Sequence, residues 1–368
     1  MKILVTGGMG FIGSHLVDTL VKKGYSVVVL DNLEEQVHQG SQPDYLNPDA
    51  EYIIGDVRDR RALKKALNKC EAVFHLAAAV GMGQSMYKIE HYISSNDLGT
   101  ATLLDILVNE KNNIKKVIIP SSNTIYGEGS YNCSRCGKVS VEIREKKQLE
   151  KNDWEIHCPD CGRIVKPAPT IEDKPLSPST VYAFSKRHQE ELCLLIGKRY
   201  NIPTVALRFF NVYGPRQSLS NPYTGVSAIF SSRIKNNHQP IIFEDGLQTR
   251  DFVHVNDIVA ANIFVMKNRK ADFRVFNVGT GKPTAILEVA RILAKLHGKE
   301  IDPEIAHKFR AGDIRHCFAD MSAMKALGFR PKVDFAQGMK DLVSWSRVVD
   351  AEDRAEAANR ELEKRNLA

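Results

Sequence analysis

Three residues of this sequence have the types and spacing of a proton-transfer site: Ser122, Tyr182 and Lys186. A free phenol titrates near pH ~10, too high for an effective base at neutral pH. A lysine four positions later lies on the same helical face and can stabilise the phenolate. Tyr182-Ala183-Phe184-Ser185-Lys186 supplies that pair near the start of a helix. Ser122 lies in Pro120-Ser121-Ser122-Asn123-Thr124-Ile125-Tyr126-Gly127, the hydroxyl-rich end of an apolar strand, where it can hydrogen-bond a reacting oxygen. Such a trio can steer the proton of a bound hydroxyl and calls for a cofactor beside it.

The first 130 residues provide a place for one. Lys2-Ile3-Leu4-Val5-Thr6 reads as a buried strand, Gly7-Gly8-Met9-Gly10-Phe11-Ile12-Gly13 as a glycine turn, and Ser14 to Val21 as a helix with apolar residues at helical spacing. Glycines there let the backbone approach a pyrophosphate, whose charge rests on the helix N-terminus. Both Gly8-x-Gly10-x2-Gly13 and Gly7-x2-Gly10-x2-Gly13 fit the pattern. A second strand, Ser26 to Leu30, ends in Asp31-Asn32; a carboxylate here takes ribose hydroxyls and repels a 2′-phosphate, favouring NAD over NADP. Gly55-Asp56-Val57 closes a third strand at a point suited to an adenine ring, and Leu76-Ala77-Ala78-Ala79 closes a fourth with side chains small enough for a cofactor to lie on the backbone. His75, inside that apolar strand, reads as a core histidine rather than a catalyst. A helix is expected over Asn96 to Val108 and a fifth strand over Lys116 to Ile119. Strands alternating with helices predict an α/β fold, a doubly wound parallel (Rossmann) sheet with its chemistry beyond the strands' carboxyl ends.

The stretch from Gly127 to Tyr182 far exceeds the ~2–6 residues usual after such a strand. It holds Cys133-x2-Cys136-Gly137 and Cys158-x2-Cys161-Gly162, paired knuckles with zinc-ribbon spacing. Four thiolates close a tetrahedral zinc to substrate, so the expected zinc is structural. Iron, a redox disulfide pair and a nucleic-acid-binding ribbon are the alternatives. Between Tyr131 and Thr170, eight Lys/Arg against six Asp/Glu give a duplex little to hold. The ribbon is expected to cover either the mouth of the site or an oligomer face.

Composition narrows the class. A hydrophobic share of 43% and a charged share of 26% are those of a globular protein, and no apolar run approaches the ~18 residues of a membrane span. Met1 to Val5 lacks the features of a signal peptide and reads as the first strand, so the protein is expected to stay where it is made. The formal net charge of +7 suits a cleft for anionic diphosphates, and no basic run with interleaved aromatics marks a nucleic-acid surface. Seven cysteines without a disulfide framework fit a reducing cytoplasm.

With these motifs in place, the chain resembles the extended short-chain dehydrogenase/reductases, the NAD-dependent nucleotide-sugar epimerase/dehydratase family. The resemblance also rests on Leu207 to Arg216, Gly246 to Val255, Phe276-Asn277-Val278-Gly279 and Arg310 to Arg315. It implies a smaller C-terminal domain that grips a nucleotide-diphosphate sugar, with Asn211, Arg250, Arg310 and Asp313 as binding residues and Ser122 and Asn123 beside the sugar. A guanidinium can bind two diphosphate oxygens at once, which suits Arg250 and Arg310. Asp257 reads as a helix cap. The expected division is 1–130 and 167–216 for the cofactor domain, with re-entry around 250–280. The ribbon takes 131–166, the substrate domain mainly 217–345, and a charged, solvated or frayed helical tail 346–368. The family's usual interface, on the helices at 96–108 and 182–200, implies a homodimer.

Dehydratases of this family carry an Asp-Glu pair after the active-site hydroxyl, and this chain has Asn123-Thr124. GDP-mannose 3,5-epimerases use a cysteine where Thr124 stands. What remains is oxidation, rotation of the keto-sugar and return of hydride to its other face, most often at C4. A dehydrogenase or reductase would use the same residues, and a cofactor-sensing or nucleic-acid-binding regulator is the non-enzymatic alternative. The segment Val80 to Tyr87 with the cysteine insertion is most similar to the branch of dTDP-L-rhamnose 4-epimerases, and Gln84 and Ser85 are expected either to contact the sugar or to cap the following helix.

Overall fold

The computed structural model describes residues 1–310, 312–365 and 367. Seven parallel strands form the central sheet, in the order Arg274–Val278, Thr204–Phe209, Lys116–Ser122, Ala72–His75, Lys2–Thr6, Ser26–Asp31, Glu51–Ile54. Strand residues alternate between two cores. Ile3, Val5, Val27, Val29 and Phe74 point to one face, and Leu4, Val28, Leu30 and Val73 to the other. A sheet buried on both sides needs apolar residues at nearly every position, which is why its strands read as continuous hydrophobic runs. Helices Phe11–Lys22 and Val255–Lys267 cover the first face. Arg60–Leu67, Gly99–Asn109 and Val181–Arg199 cover the second.

A smaller unit follows. Strands Asn211–Tyr213, Thr249–His254 and Pro283–Ala285 form a second sheet, with His316–Cys317 paired to the middle strand. Helices Val226–Lys235, Ile286–His297 and Phe335–Val348 pack around a third core containing Phe230, Leu293 and Leu342. Helix Val255–Lys267 packs on the large sheet and strand Arg274–Val278 joins its edge, whereas Thr249–His254 lies in the smaller sheet. The insertion is a three-stranded antiparallel sheet, Gly137–Val139, Ser130–Cys133 and Lys166–Ala168, over a small core of Tyr131, Val139, Ile156 and Val165. No helix of the described residues is long and apolar enough to cross a membrane.

Three expectations change. The helix expected from Asn96 begins as an α-helix only at Gly99, after a π-helical turn over Ser94–Leu98. Asp257 does not cap its own helix: its carboxylate accepts the N–H groups of Lys332 and Val333 at 2.8 and 3.0 Å, tying down a distant loop, and His254 is the cap. The tail is not solvated. Helix Ala355–Glu363 buries Ala355, Ala358 and Leu362, and its approach is anchored by Arg233 on Asp353 (3.1 Å) and by Glu352 N–H on Ser220 Oγ (3.0 Å). Positions 355, 358 and 362 share one helical face, which is the sequence pattern of a helix docked on one side.

Candidate active site

The helix Val181–Arg199, which carries Tyr182 and Lys186, starts at the carboxyl edge of the large sheet, and its first turn is held by two hydroxyls. Thr180 Oγ1 accepts the Ala183 N–H (3.2 Å) and Ser85 Oγ accepts the Tyr182 N–H (3.0 Å), satisfying donors that a helix start leaves open. Asn96, fully buried in the π-helical turn, donates to Ser185 Oγ (2.8 Å) and pairs with both the N–H and the C=O of Ala79. One side chain thus locks the catalytic helix to the loop that follows the fourth strand.

Tyr182 is buried, and burial pushes its phenol up to about 12, with the Ser122 hydroxyl pulling the other way. Burial also lowers the Lys186 ammonium to about 8, opposed by Asp97. Lys186 donates to Pro120 O (3.1 Å) and Gln189 Oε1 (3.0 Å), so its position is fixed by the strand carrying Ser122 as well as by its own helix. Ser122 Oγ accepts two bonds from Thr124, one from its N–H (3.2 Å) and one from its hydroxyl (2.9 Å). With its acceptor capacity occupied, Ser122 is left to donate its own proton towards the cleft. His75 is fully buried between Thr6 Oγ1 (2.9 Å) and Thr100 Oγ1 (3.1 Å), and burial drives it down to about 3, so it is a neutral scaffold residue.

A continuous cleft of ≈ 790 Å³ runs past these groups. One wall holds Gly7, Gly10, Phe11, Ile12 and Gly13, then Asp31, Asn32, Asp56, Val57, Leu76, Ala77 and Ala78, with Tyr182 and Lys186 at the far end. The glycine spacing resolves to Gly7, Gly10 and Gly13. Gly7 has φ +67°, and a Cβ on it would meet Ala77 N at 2.8 Å. A Cβ on Gly13 would meet Gly7 O at 2.2 Å, so the helix sits directly on the turn. At Gly10 the nearest neighbour would be Gly7 O at 3.5 Å, and the open side faces the cleft where a pyrophosphate fits. Asp31 accepts the N–H groups of Met9 (2.9 Å) and Leu33 (3.0 Å). Asp56 is held by Asn32 (3.1 Å) and the Arg58 fork, which keeps its carboxyl below the usual range. This wall fits a dinucleotide.

The other end fits an anionic, polar ligand. Asn211, Arg250, Arg310 and Asp313 line it, as do Gln84, Ser122 and Asn123. Among the described residues, Ser121, Asn211, Gln217, Gln248 and Arg310 each keep a buried polar atom without a protein partner, and all five line the cleft. Buried polar atoms are rarely left unpaired unless a ligand or water completes them. Burial lowers the Arg310 guanidinium and raises the Asp313 carboxyl, each opposed by the other's charge. Arg310 stacks 4.0 Å over Phe243 and donates to Asn359 Oδ1 (3.0 Å) on the C-terminal helix.

Ser85 takes the capping alternative. Its hydroxyl donates to Met82 O (2.6 Å) and accepts from Tyr182 N–H, it is fully buried, and it does not line the cleft. The helix it caps is the catalytic one rather than the next in sequence. No residue of the ribbon from 131 to 166 lines the cleft either. The C-terminal helix does so instead, through Ala355, Ala358, Asn359 and Leu362, with Leu362 packed against Gly83 and Arg365 over the Tyr87 ring. Sequence reading missed Asn96, Gln189 and this helix; only the chain's own folding brings them to the site.

The sulfurs of Cys133, Cys136, Cys158 and Cys161 all lie within 4.8 Å of one another, with Cys133 and Cys161 at 3.6 Å. Tetrahedral thiolates ~2.3 Å from zinc stand about 3.8 Å apart. Gly137 and Gly162 turn the knuckles at φ +75° and +72°, and the Arg135 N–H points at Cys133 Sγ (3.4 Å). The donor set fits a zinc ion.

The sequence pattern of the NAD dependent epimerase/dehydratase family matches residues 3–144 and 159–279. A dTDP-L-rhamnose 4-epimerase of Burkholderia thailandensis is 34% identical over 348 residues, covering 94% of each chain. A putative UDP-glucose 4-epimerase of Methanocaldococcus jannaschii is 33% identical, covering 94% of this chain and 98% of that one. Among solved structures, UDP-glucose 4-epimerase of Thermotoga maritima with UDP-glucose has a TM-score of 0.77 at 30% identity, covering 94% of this chain and 99% of its own. UDP-glucuronic acid 4-epimerase of Bacillus cereus, with UDP-glucuronic acid and NAD, has 0.78 at 28%, with the same coverage.

Ser85→Ala removes the acceptor at Tyr182 N–H. It is expected to cost about 0.5–2 kcal/mol in denaturant unfolding and to lower kcat. Unchanged stability and turnover would show that the contact does not hold the catalytic turn.

Proposed function

The chain belongs to the NAD-dependent epimerase/dehydratase family, and from that premise we propose that it is a nucleotide-sugar C4-epimerase acting on a dTDP-activated 6-deoxyhexose. The observation that carries the reaction type is the arrangement at Ser122: its hydroxyl and the Tyr182 phenol lie together in the cleft, where a substrate hydroxyl can meet both. Thr124, where a dehydratase has an acid or base, has its hydroxyl on Ser122. The sugar identity is supported by the 34% identity to the Burkholderia enzyme and by the residues near Tyr182. Val80, Met82, Gln84, Met86 and Tyr92 line that part of the cleft and carry no charge, which suits a C5 methyl group better than a uronate carboxylate.

Bound NAD would supply the hydride acceptor and return hydride to the sugar carbon. Tyr182, as phenolate, takes the proton of the C4 hydroxyl, and the Lys186 cation offsets the phenolate's cost in a dry site. Ser122 donates to the same oxygen and keeps it in place as the carbonyl forms. Arg250 and Arg310 hold the diphosphate while the hexose turns to present its other face. Tyr182 then returns the proton to O4. No cofactor is consumed, which distinguishes the reaction from that of a dehydrogenase or reductase using the same groups.

The cysteine quartet is read as a structural zinc site. Two copies are read as pairing through the helices bearing Ile89, Leu98, Phe184 and Leu195, each more than half exposed on one chain. The free thiols fit a reducing cytoplasm.

Purified enzyme without added cofactor should convert dTDP-L-rhamnose into an equilibrium mixture of C4 epimers. Tyr182→Phe should lower the rate by about 10²–10⁴-fold while NAD stays bound. Conversion only with added NADH or NADPH would instead identify a reductase, and inertness toward a panel of nucleotide sugars a non-enzymatic role. Elemental analysis should find zinc equimolar with chain and lost in the Cys133→Ser/Cys158→Ser variant; full zinc in that variant would place the metal elsewhere. Leu195→Glu should turn a dimer into a monomer by light scattering, and a monomeric parent protein would refute the pairing.

A further inference from the structure

The ribbon never reaches the cleft, yet it is joined to the cleft's anion-binding end by buried charge. Arg144, 6% exposed, donates to Trp154 O (2.8 Å), Glu244 Oε1 (2.7 Å) and the main-chain carbonyl of Asp313 (3.1 Å). Glu155 accepts from Nη2 (2.6 Å) and Nε (3.2 Å) of Arg315, the largest fully buried side chain, which continues to Glu244 (2.9 Å) and Asp245 (2.6 Å). Tyr131, in the ribbon's first strand, accepts the His316 N–H (3.1 Å) and donates to Glu128 (2.7 Å), which takes the Arg315 N–H (2.7 Å). Opposite, Arg250 donates to Ile314 O (2.7 Å) and Arg315 O (3.0 Å). Each carbonyl from Asp313 to Arg315 is therefore held by an arginine.

Removing one member of such a network leaves its partner's charge buried and uncompensated, so the arrangement strongly favours a single geometry. The residues so fixed include Asp313, whose N–H is bonded to Arg310 O (3.2 Å), and both Arg310 and Asp313 line the cleft. We propose that the cysteine ribbon is a positioning clamp: Arg144 and Glu155 hold residues 312–316 in the conformation that, with Arg310, receives the nucleotide diphosphate. The proposal rests on the reading of Arg310 and Asp313 as diphosphate-end groups. The cofactor wall and Tyr182 belong to other elements, so the clamp acts on substrate affinity and not on the proton-transfer step.

Arg144→Lys keeps the charge but loses the fork that reaches three acceptors, and Glu155→Gln keeps the shape but loses the charge. Both are made in the full-length chain, with calorimetric Kd for dTDP and UDP, bound NAD, thermal melting, and kcat and KM on the converted sugar. Nucleotide Kd and KM should weaken about 10-fold or more, with kcat and bound NAD within about twofold. Unchanged nucleotide affinity in folded variants, or a fall in kcat at constant KM, overturns the clamp. If Arg144→Lys does not fold, Glu155→Gln alone decides. Arg310→Met separates the two readings: if it keeps full nucleotide affinity, the diphosphate assignment fails. If it loses affinity while Arg144→Lys and Glu155→Gln keep theirs, only the clamp fails.

Discussion

A phenol that is to act as a base has to be dry enough to exclude competing water and yet able to lose its proton, and burial alone opposes the second requirement. Tyr182 shows the conflict: burial raises its pKa, and only groups held in fixed positions can bring it back down. Much of the large sheet and its helices serves that placement. Lys186 is located from two directions, by its helix and by Pro120 O. Ser122 is turned outward by Thr124, and the first helical turn is locked by Ser85, Thr180 and Asn96. The π-helical turn at Ser94–Leu98 fits this picture, since such turns often occur where a side chain must be redirected at a functional site.

The two ends of the cleft have opposite mechanical demands. The cofactor end is a backbone surface, with glycines and alanines against which a flat, charged molecule can lie. The other end carries guanidinium groups and unpartnered buried polar atoms. An epimerase needs this asymmetry. Its hexose has to turn over between two hydride transfers, so affinity must come from the diphosphate and not from many contacts to the sugar ring. In the proposed reading, uncharged residues around the sugar and arginines around the phosphates would divide the labour in that way.

Two peripheral elements complete the site by different physical means. The C-terminal helix closes the cleft through apolar contact, Leu362 on Gly83, and through Asn359 on Arg310. The ribbon stays outside and reaches residues 313–315 through the buried Arg144, which bonds the Asp313 carbonyl and Glu244, and through Glu155 on Arg315.

The amino-acid sequence alone determined the local and periodic features: the doubly wound sheet, from apolar runs alternating with helical spacing, the glycine turn, the Tyr182-x3-Lys186 pair and the cysteine knuckles. Each is encoded by residues within a few positions of one another, so a short window carries the information. The choice between Gly7 and Gly8 as the turn glycine depended on a neighbouring strand. Of the two roles open to Ser85, capping was chosen because the helix carrying Tyr182, almost a hundred positions later, begins beside it. The charged tail became a wall of the cleft, and the ribbon, expected at the cleft's mouth or on an oligomer face, packs behind residues 313–316 instead. Those outcomes were set by tertiary structure, because hydrogen bonds and ion pairs between distant segments leave no periodic mark in the sequence.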